Sequence, residues 1–476
     1  MSTQEDNITW MDATAQAELV QKGEISPIEL LEGAIERAEQ LNPEINAIIN
    51  PLYDLAREAS KDLPDGPFRG VPFLMKDIGA ELAGVKMEEG SRFMRGYVSP
   101  EDSELTARFK RAGLNIMGKT NTPEFGLLPT TEPELYGVTR NPWNPELGSG
   151  GSSGGACAAV AAGIVPVAHA NDGGGSIRIP ASACGLVGLK PTRGRNSMAP
   201  AGDMANGIVA QHVVSRTVRD SAALLDATHG AMPGDPYFPA PPERPYAQEV
   251  RRDPGKLRIA FSSLPLTGVA VTDEVRAALE DTAKLCESLG HTVEEAQPTL
   301  DRPRALKAFG RVWVGMLGWA VKSWEKKLGR SATEADFEGV TWRMYQSNQR
   351  VSAAEYLAAI EDLQAMSRDI ALLFNTFDVW LTPTLCRDPA PLGYFAFTAE
   401  ARDEHIRRLG QYSGFTSMFN ATGQPAMTLP LQWSENGLPL GMQIIGRYAD
   451  EATLFRLAGQ LEQARPWVDR RPMVSA

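Results

Sequence analysis

The chain has 476 residues, enough for a sizeable core, and its 43% hydrophobic and 22% charged residues are those of an ordinary folded protein, not of collagen, a coiled coil or a long disordered tract. Its 47 Lys and Arg against 59 Asp and Glu leave a formal net charge of −12, which repels phosphate backbones and anionic membrane surfaces and argues against nucleic acid as a partner. Cys157, Cys184, Cys286 and Cys386 are scattered without a CxxC pair, which fits reduced thiols better than a disulfide framework or a zinc site.

The first dozen residues carry Glu5, Asp6 and Asp12 and lack both a basic start and an apolar stretch, so no secretory leader is expected and the chain is assigned to the cytoplasm. Ser26, Pro27 and Glu29 form a capping-box start, and Leu30, Leu31, Ala34, Ile35, Ala38 and Leu41 then mark one helical face, with Asn42-Pro43 predicted to end it. A second helix is expected over 102–112 with Leu105 and Phe109 inward, stopped by Gly113 before a strand at 114–117. The rhythm recurs as a helix over 153–162, Gly163 and a strand at 164–168, followed by strands at 186–189 and 257–261. The apolar run 156–168 is shorter than the ~18 to 20 residues a bilayer requires, so no membrane span is expected.

Residues 232–256 are rich in proline and read as a surface connection. A helix over 273–289 places Val275, Leu279, Leu285 and Leu289 on its buried side, and 302–350 reads as helical and holds Trp313, Trp319, Trp324 and Trp342. Those tryptophans suit either buried helix packing or the aromatic wall of a pocket. Helices alternating with strands make an α/β protein with a mixed sheet layered between helices the economical fold.

Residues 113–120 match the phosphate-loop pattern GxxxxGK[ST], but a helix precedes them and their variable positions read as a strand, so the match is set aside. The chemistry lies elsewhere. No residue from 147 to 171 is charged, and the glycine-rich start, 148–155, is clamped between ordered elements, which suits close backbone approach better than a linker. Asn171-Asp172 ends a strand and leads into Gly173-Gly174-Gly175-Ser176, a turn that can aim several backbone N–H groups at an oxyanion while a serine hydroxyl faces the same point; a purely structural glycine turn is the alternative. None of the five histidines has a nucleophile-elbow context, and His169 reads as a core or supporting residue. Lys76, after the apolar run Val71 to Met75, remains as a base that burial would tune from ~10.4 towards ~7 to 8, against the plainer reading of a solvated ion pair with Asp77.

Taken together, Gly-Val-Pro-Phe-x-Met-Lys76-Asp, Gly150-Gly151-Ser152-Ser153-Gly154-Gly155 and Asp172-x-Gly-Gly-Ser176-Ile-Arg178 resemble the amidase signature family, and the 24 positions between Ser152 and Ser176 fit that family's spacing. Segments 118–125, 141–145, 185–192, 216–220 and 422–426 extend the resemblance over nearly the whole chain. It implies one domain over 1–476, with N-terminal helices at 1–65, a catalytic core at about 66–230, the Pro-rich connection at 232–256 and a substrate-side layer at 257–476, built on a large mixed sheet covered on both faces by helices. It also implies a Ser-cisSer-Lys triad: Ser176 as nucleophile, Ser152 after a cis peptide bond as proton relay and Lys76 as base. Gly173, Gly174, Gly175 and Ser176 would supply the oxyanion hole, with Ser153, Asp172 and Arg178 as supports. No metal or cofactor is implied. The substrates would be neutral, rather apolar linear amides, carbamates or esters, with water as the second reactant and a homodimer as the family-based assembly. Gly173, a third glycine where many members carry Thr or Ile, is expected to widen the acyl side of the pocket, and the Asn-Asp-Gly-Gly-Gly-Ser form points to the branch with aryl acylamidases, urethanases and cyclic nylon-oligomer hydrolases. The alternative is the glutamine-hydrolysing subunit of a tRNA-dependent amidotransferase.

Overall fold

A computed structural model describes residues 8–398 and 400–476. The first seven residues, which include Glu5 and Asp6 of the leader expectation, lie outside the described residues. The strands are β1 (Ile48–Pro51), β2 (Pro72–Lys76), β3 (Asn115–Thr120), β4 (Arg140–Asn141), β5 (Asn144–Gly148), β6 (Val167–Asp172), β7 (Val187–Lys190), β8 (Ala210–Ser215), β9 (Arg258–Phe261), β10 (Thr292–Glu295), β11 (Val379–Pro383), β12 (Ala426–Trp433) and β13 (Pro439–Ile445). Apart from the small β4–β5 ribbon, they join one mixed sheet of 11 strands in the order β1-β3-β2-β6-β8-β7-β12-β13-β11-β9-β10.

Every residue of β2, β3, β6, β7 and β8 is buried, as expected of central strands covered on both faces. Because β2 runs parallel to β6, with Phe73 opposite Val167, their C-terminal ends reach the same edge of the sheet. That parallel pairing brings Lys76, the last residue of β2, to the side where Asn171 and Asp172 close β6. The helix Gly154–Ala161 is buried along its whole length, and its small side chains share one apolar core with strands of the sheet and the N-terminal helix Pro27–Ile45.

Several boundaries depart from the sequence reading. The helix Pro27–Ile45 runs through Pro43. Ile45 is fully buried, and the Asn42 amide satisfies the chain beyond the helix, accepting from the Ala47 and Ile48 N–H groups at 2.8 and 2.7 Å and donating to the Ile48 carbonyl at 2.9 Å. The strand expected at 164–168 starts instead after Pro166, which has no N–H for the ladder, and β6 continues to Asp172. In the helix Asp273–Ser288, Val275 and Leu279 are buried, whereas Leu285 and Leu289 are only partly so. The proline-rich stretch is not wholly superficial: the short helix Tyr246–Glu249 inside it buries Tyr246, 5.5 Å in ring centroids from Phe455. The phosphate-loop match resolves as expected, with Gly118 and Lys119 inside β3. No helix among the described residues is long and apolar enough to cross a membrane.

Candidate active site

Lys76 has no exposed surface, and its amine makes two contacts, 2.7 Å to Ser152 Oγ and 2.6 Å to Asn171 Oδ1. Desolvation drives its pKa down to about 7, against weaker opposition from the Asp172 carboxylate. The solvated ion pair with Asp77 is excluded by position: Asp77 faces Lys119, 3.8 Å away, and burial pushes the Asp77 carboxyl up to about 6. The peptide bond between Gly151 and Ser152 is cis.

Ser176 follows the glycine turn at the entry to the helix Arg178–Cys184 and is 7% exposed. The two serine loops are tied together: the Ser153 N–H donates to the Ser176 carbonyl at 3.3 Å, and Ser153 Oγ donates to the Asn171 carbonyl at 3.3 Å. Ser152, Asn171, Gly173 and Ser176 line one small chamber of about 50 Å³ with Trp313 over it. Ser176 and Gly174 also border an apolar cavity of about 500 Å³ walled by Ile179, Leu306, Phe309 and Trp313.

Asp172 anchors the turn. Its carboxylate accepts from the Gly175 N–H at 2.7 Å, the Ile177 N–H at 3.2 Å, Asn420 Nδ2 at 2.8 Å, and Arg178 Nε and Nη2 at 2.9 and 3.0 Å. Arg178 spends its remaining donors on the Thr416 carbonyl, Gln443 Oε1 and Asn420 Oδ1, so this fully buried guanidinium is saturated. Burial alone would raise the Asp172 carboxyl; the Arg178 charge and its hydrogen bonds overcome this and hold it at about 2.

This arrangement corrects the expected set of oxyanion donors. The Gly175 N–H is committed to Asp172, so it cannot serve a substrate. The N–H groups of Gly173, Gly174 and Ser176 carry no hydrogen bond among the described residues and remain the available donors. Gly175 earns its place through conformation: its φ is +134°, and a Cβ there would collide with the Thr416 hydroxyl, which itself donates to the Gly174 carbonyl at 2.7 Å. Gly173 does not widen the pocket either. A Cβ at that position would come 3.2 Å from the Trp313 ring and 3.3 Å from Val209, so the missing side chain makes room for the indole.

Of the four tryptophans singled out, Trp313 at the chamber and Trp319 and Trp324 in a second cavity fit the pocket-wall reading, whereas Trp342 packs on Phe337 with ring centroids 6.1 Å apart. His169 is a core residue: burial depresses its pKa to about 3, and Nε2 lies 3.1 Å from Gln211 Oε1. Asn171, Thr416, Asn420 and Gln443 were not singled out in the sequence. Asn171 could have been found from its place one residue before Asp172; the other three lie 238 to 265 positions from Arg178, to which they bond, and no spacing signals them. No group of three or more His, Cys, Asp or Glu side chains among the described residues is arranged to hold a metal ion.

With this geometry in view, residues 29–455 match the family model described as Amidase. A 6-aminohexanoate-cyclic-dimer hydrolase of Paenarthrobacter ureafaciens is 41% identical over 479 residues, covering 98% of this chain and 97% of that protein. A solved structure of a 6-aminohexanoate cyclic dimer hydrolase superposes with a TM-score of 0.93 at 40% identity, over 98% of this chain and 99% of the other. A bacterial aryl acylamidase of the amidase signature enzymes gives 0.87 at 27% identity, over 96% and 97%.

Proposed function

The chain belongs to the amidase signature family, and on that premise we propose that it hydrolyses the C–N bond of amides with a neutral, largely apolar acyl portion through an acyl-enzyme on Ser176. The observation that carries this reading is the contact of 2.7 Å between Lys76 Nζ and Ser152 Oγ, made by a fully buried amine with no ion-pair partner among the described residues. Such an amine is neutral in a good part of the molecules at pH 7, and Asn171 Oδ1 takes one of its N–H bonds, which leaves the lone pair of the neutral form available to accept from the Ser152 hydroxyl.

In this mechanism Ser176 Oγ attacks the amide carbonyl while its proton passes to Ser152 Oγ and the Ser152 proton passes to Lys76. The tetrahedral oxyanion takes the free N–H groups of Gly173, Gly174 and Ser176. The ammonium of Lys76 then returns a proton through Ser152 to the leaving nitrogen, the C–N bond breaks, and an ester on Ser176 remains. Water repeats the sequence in reverse roles, with its proton drawn by the same relay, and releases the acid. Trp313 over the turn excludes bulk water from the oxyanion site, where each donor contributes about 3 to 4 kcal/mol to the transition state.

The expectation of linear amides alone is too narrow, since the relatives are named for a cyclic one. The substrate range we propose includes cyclic as well as linear amides, with aryl amides, carbamates and esters as further members, and the apolar cavity beside Gly174 takes the acyl portion. The test is a panel of 6-aminohexanoate cyclic dimer, aryl anilides, aliphatic amides, carbamates and p-nitrophenyl esters assayed with wild type, Ser176→Ala and Lys76→Ala. Turnover should vanish in Ser176→Ala and fall severely in Lys76→Ala; retained turnover by Ser176→Ala refutes the nucleophile.

A further inference from the structure

The chamber of Ser152 and Ser176 opens past Ile78, Gly79, Phe125, Met198, Met204 and Met316 into a second cavity of about 630 Å³, which shares only Leu127 with the apolar one. Ser152 borders this chamber but not the apolar cavity. The chamber also meets the apolar cavity at Gly126, Ser176 and Trp313, so with the acyl portion in that cavity a leaving nitrogen protonated through Ser152 sits at the chamber and what it carries is directed into the second cavity.

The charged residues of that cavity are Glu81, Glu89, Glu101 and a single cation, Lys327. Lys327 is already engaged: its Nζ lies 3.4 Å from Glu81 Oε1 and 4.4 Å from the centroid of the Trp324 ring. Glu81 also accepts from the Tyr97 hydroxyl at 3.0 Å. Glu89 is different. It is 6% exposed and makes no ion pair among the described residues. Burial, then the neighbouring Asp77 and Glu81 carboxylates, push its acid up to about 8, with Lys327 opposing too weakly to reverse the trend. A buried carboxyl without a counter-ion, facing an open cavity, gains most from an incoming cation with N–H donors, which supplies both the missing charge and the missing hydrogen bonds.

We propose that Glu89, backed by Glu81, is a subsite for a protonated nitrogen carried on the leaving amine, so that the preferred amides are diamines acylated at one end. The placement rests on the amidase reading, because Ser152 fixes which side the amine leaves from. Amides whose leaving amine ends in a carboxylate are the disfavoured counterpart, since that charge would meet three carboxyl groups.

The experiment compares three matched series, N-acyl diamines, N-acyl alkylamines of the same length and N-acyl amino acids, by kcat/KM with wild type and by calorimetric binding to Ser176→Ala. The cationic series should exceed the neutral one by about tenfold in both measurements, and the carboxylate series should fall below it. In Glu89→Gln, with folding checked by thermal unfolding, the cationic-to-neutral ratio should drop towards one. Equal values for cationic and neutral ligands in wild type, or an unchanged ratio in folded Glu89→Gln, overturn the proposal. Should wild type hydrolyse none of the amides, the amidase reading fails, while the order of affinities for Ser176→Ala still decides the subsite.

Discussion

The pH dependence of turnover reads the state of Lys76 directly. An ordinary lysine of 10.5 holds roughly one neutral amine in 30,000 at pH 6, whereas Lys76, brought to about 7 by burial, holds about one in ten. The base is active when neutral, so lowering the pH through 7 removes it, by tenfold for each further pH unit. The expected profile of kcat/KM, measured with a chromogenic anilide between pH 5 and 9, has half its plateau value near pH 7 and lies about a hundredfold below plateau at pH 5. His169 and His212 do not contribute in this range, since desolvation holds them at about 3 and about 4. The amine of Lys190, also brought to about 7 by burial, is tested by repeating the profile in Lys190→Met; the other groups that could mimic the limb are carboxyls, Asp77 at about 6, Asp220, Glu338 and Glu462 at about 7 and Glu89 at about 8. Temperature separates them: an amine releases its proton with a large heat and a carboxylic acid with almost none, so warming should move the limb to lower pH. A flat profile, a rise only near pH 10, or a limb that ignores temperature would refute the assignment of Lys76 as a neutral base.

Three substitutions probe the frame around this base. Gly175→Ala forces a side chain into a φ of +134° and against Thr416, and should cost about 1 to 3 kcal/mol in thermal or urea unfolding with activity lost alongside; stability within about 0.5 kcal/mol of wild type would contradict the conformational argument. Arg178→Met leaves the Asp172 carboxylate buried without its partner and should destabilise by about 3 to 5 kcal/mol in the same assay, a loss that a surface ion pair could not produce. Asn171→Leu removes the group that orients the Lys76 amine, and should lower kcat by about tenfold or more with little change in KM; an altered KM at constant kcat would place Asn171 in substrate binding instead.

What the sequence reveals of this site depends on the range of the interaction. Lys76 is legible as a candidate because four of the five residues of β2 are apolar, but those residues also suit a solvated ion pair with Asp77, and only the fold decides for burial. The closeness of Lys76 to the glycine turn is not legible in the same way, since it follows from the parallel pairing of β2 with β6 across nearly a hundred residues. The triad reading therefore comes from a family resemblance; what the structure adds is a distance of 2.7 Å between Lys76 Nζ and Ser152 Oγ, with a cis bond before Ser152. The direction of an amide bond cannot be read from a glycine run, which is why Gly175 was expected to serve an oxyanion although its N–H serves Asp172. Gly173 misled for a related reason: a missing side chain looks like open space until Trp313, 140 positions away, is seen to occupy it. Pro43 looked like a helix stop, but the burial of Ile45 and the bonds made by Asn42 carry the chain through it.

The central claim, that Ser176 carries the acyl group, is tested most directly by trapping that group. A slowly deacylating carbamate or activated ester incubated with the enzyme, quenched in acid and digested, should give one peptide heavier by the acyl mass, with the modification on Ser176 and absent from Ser176→Ala. Modification of Ser152 with Ser176 unmodified, or steady turnover in which no acyl-enzyme accumulates even with the slowest substrate, would contradict the account.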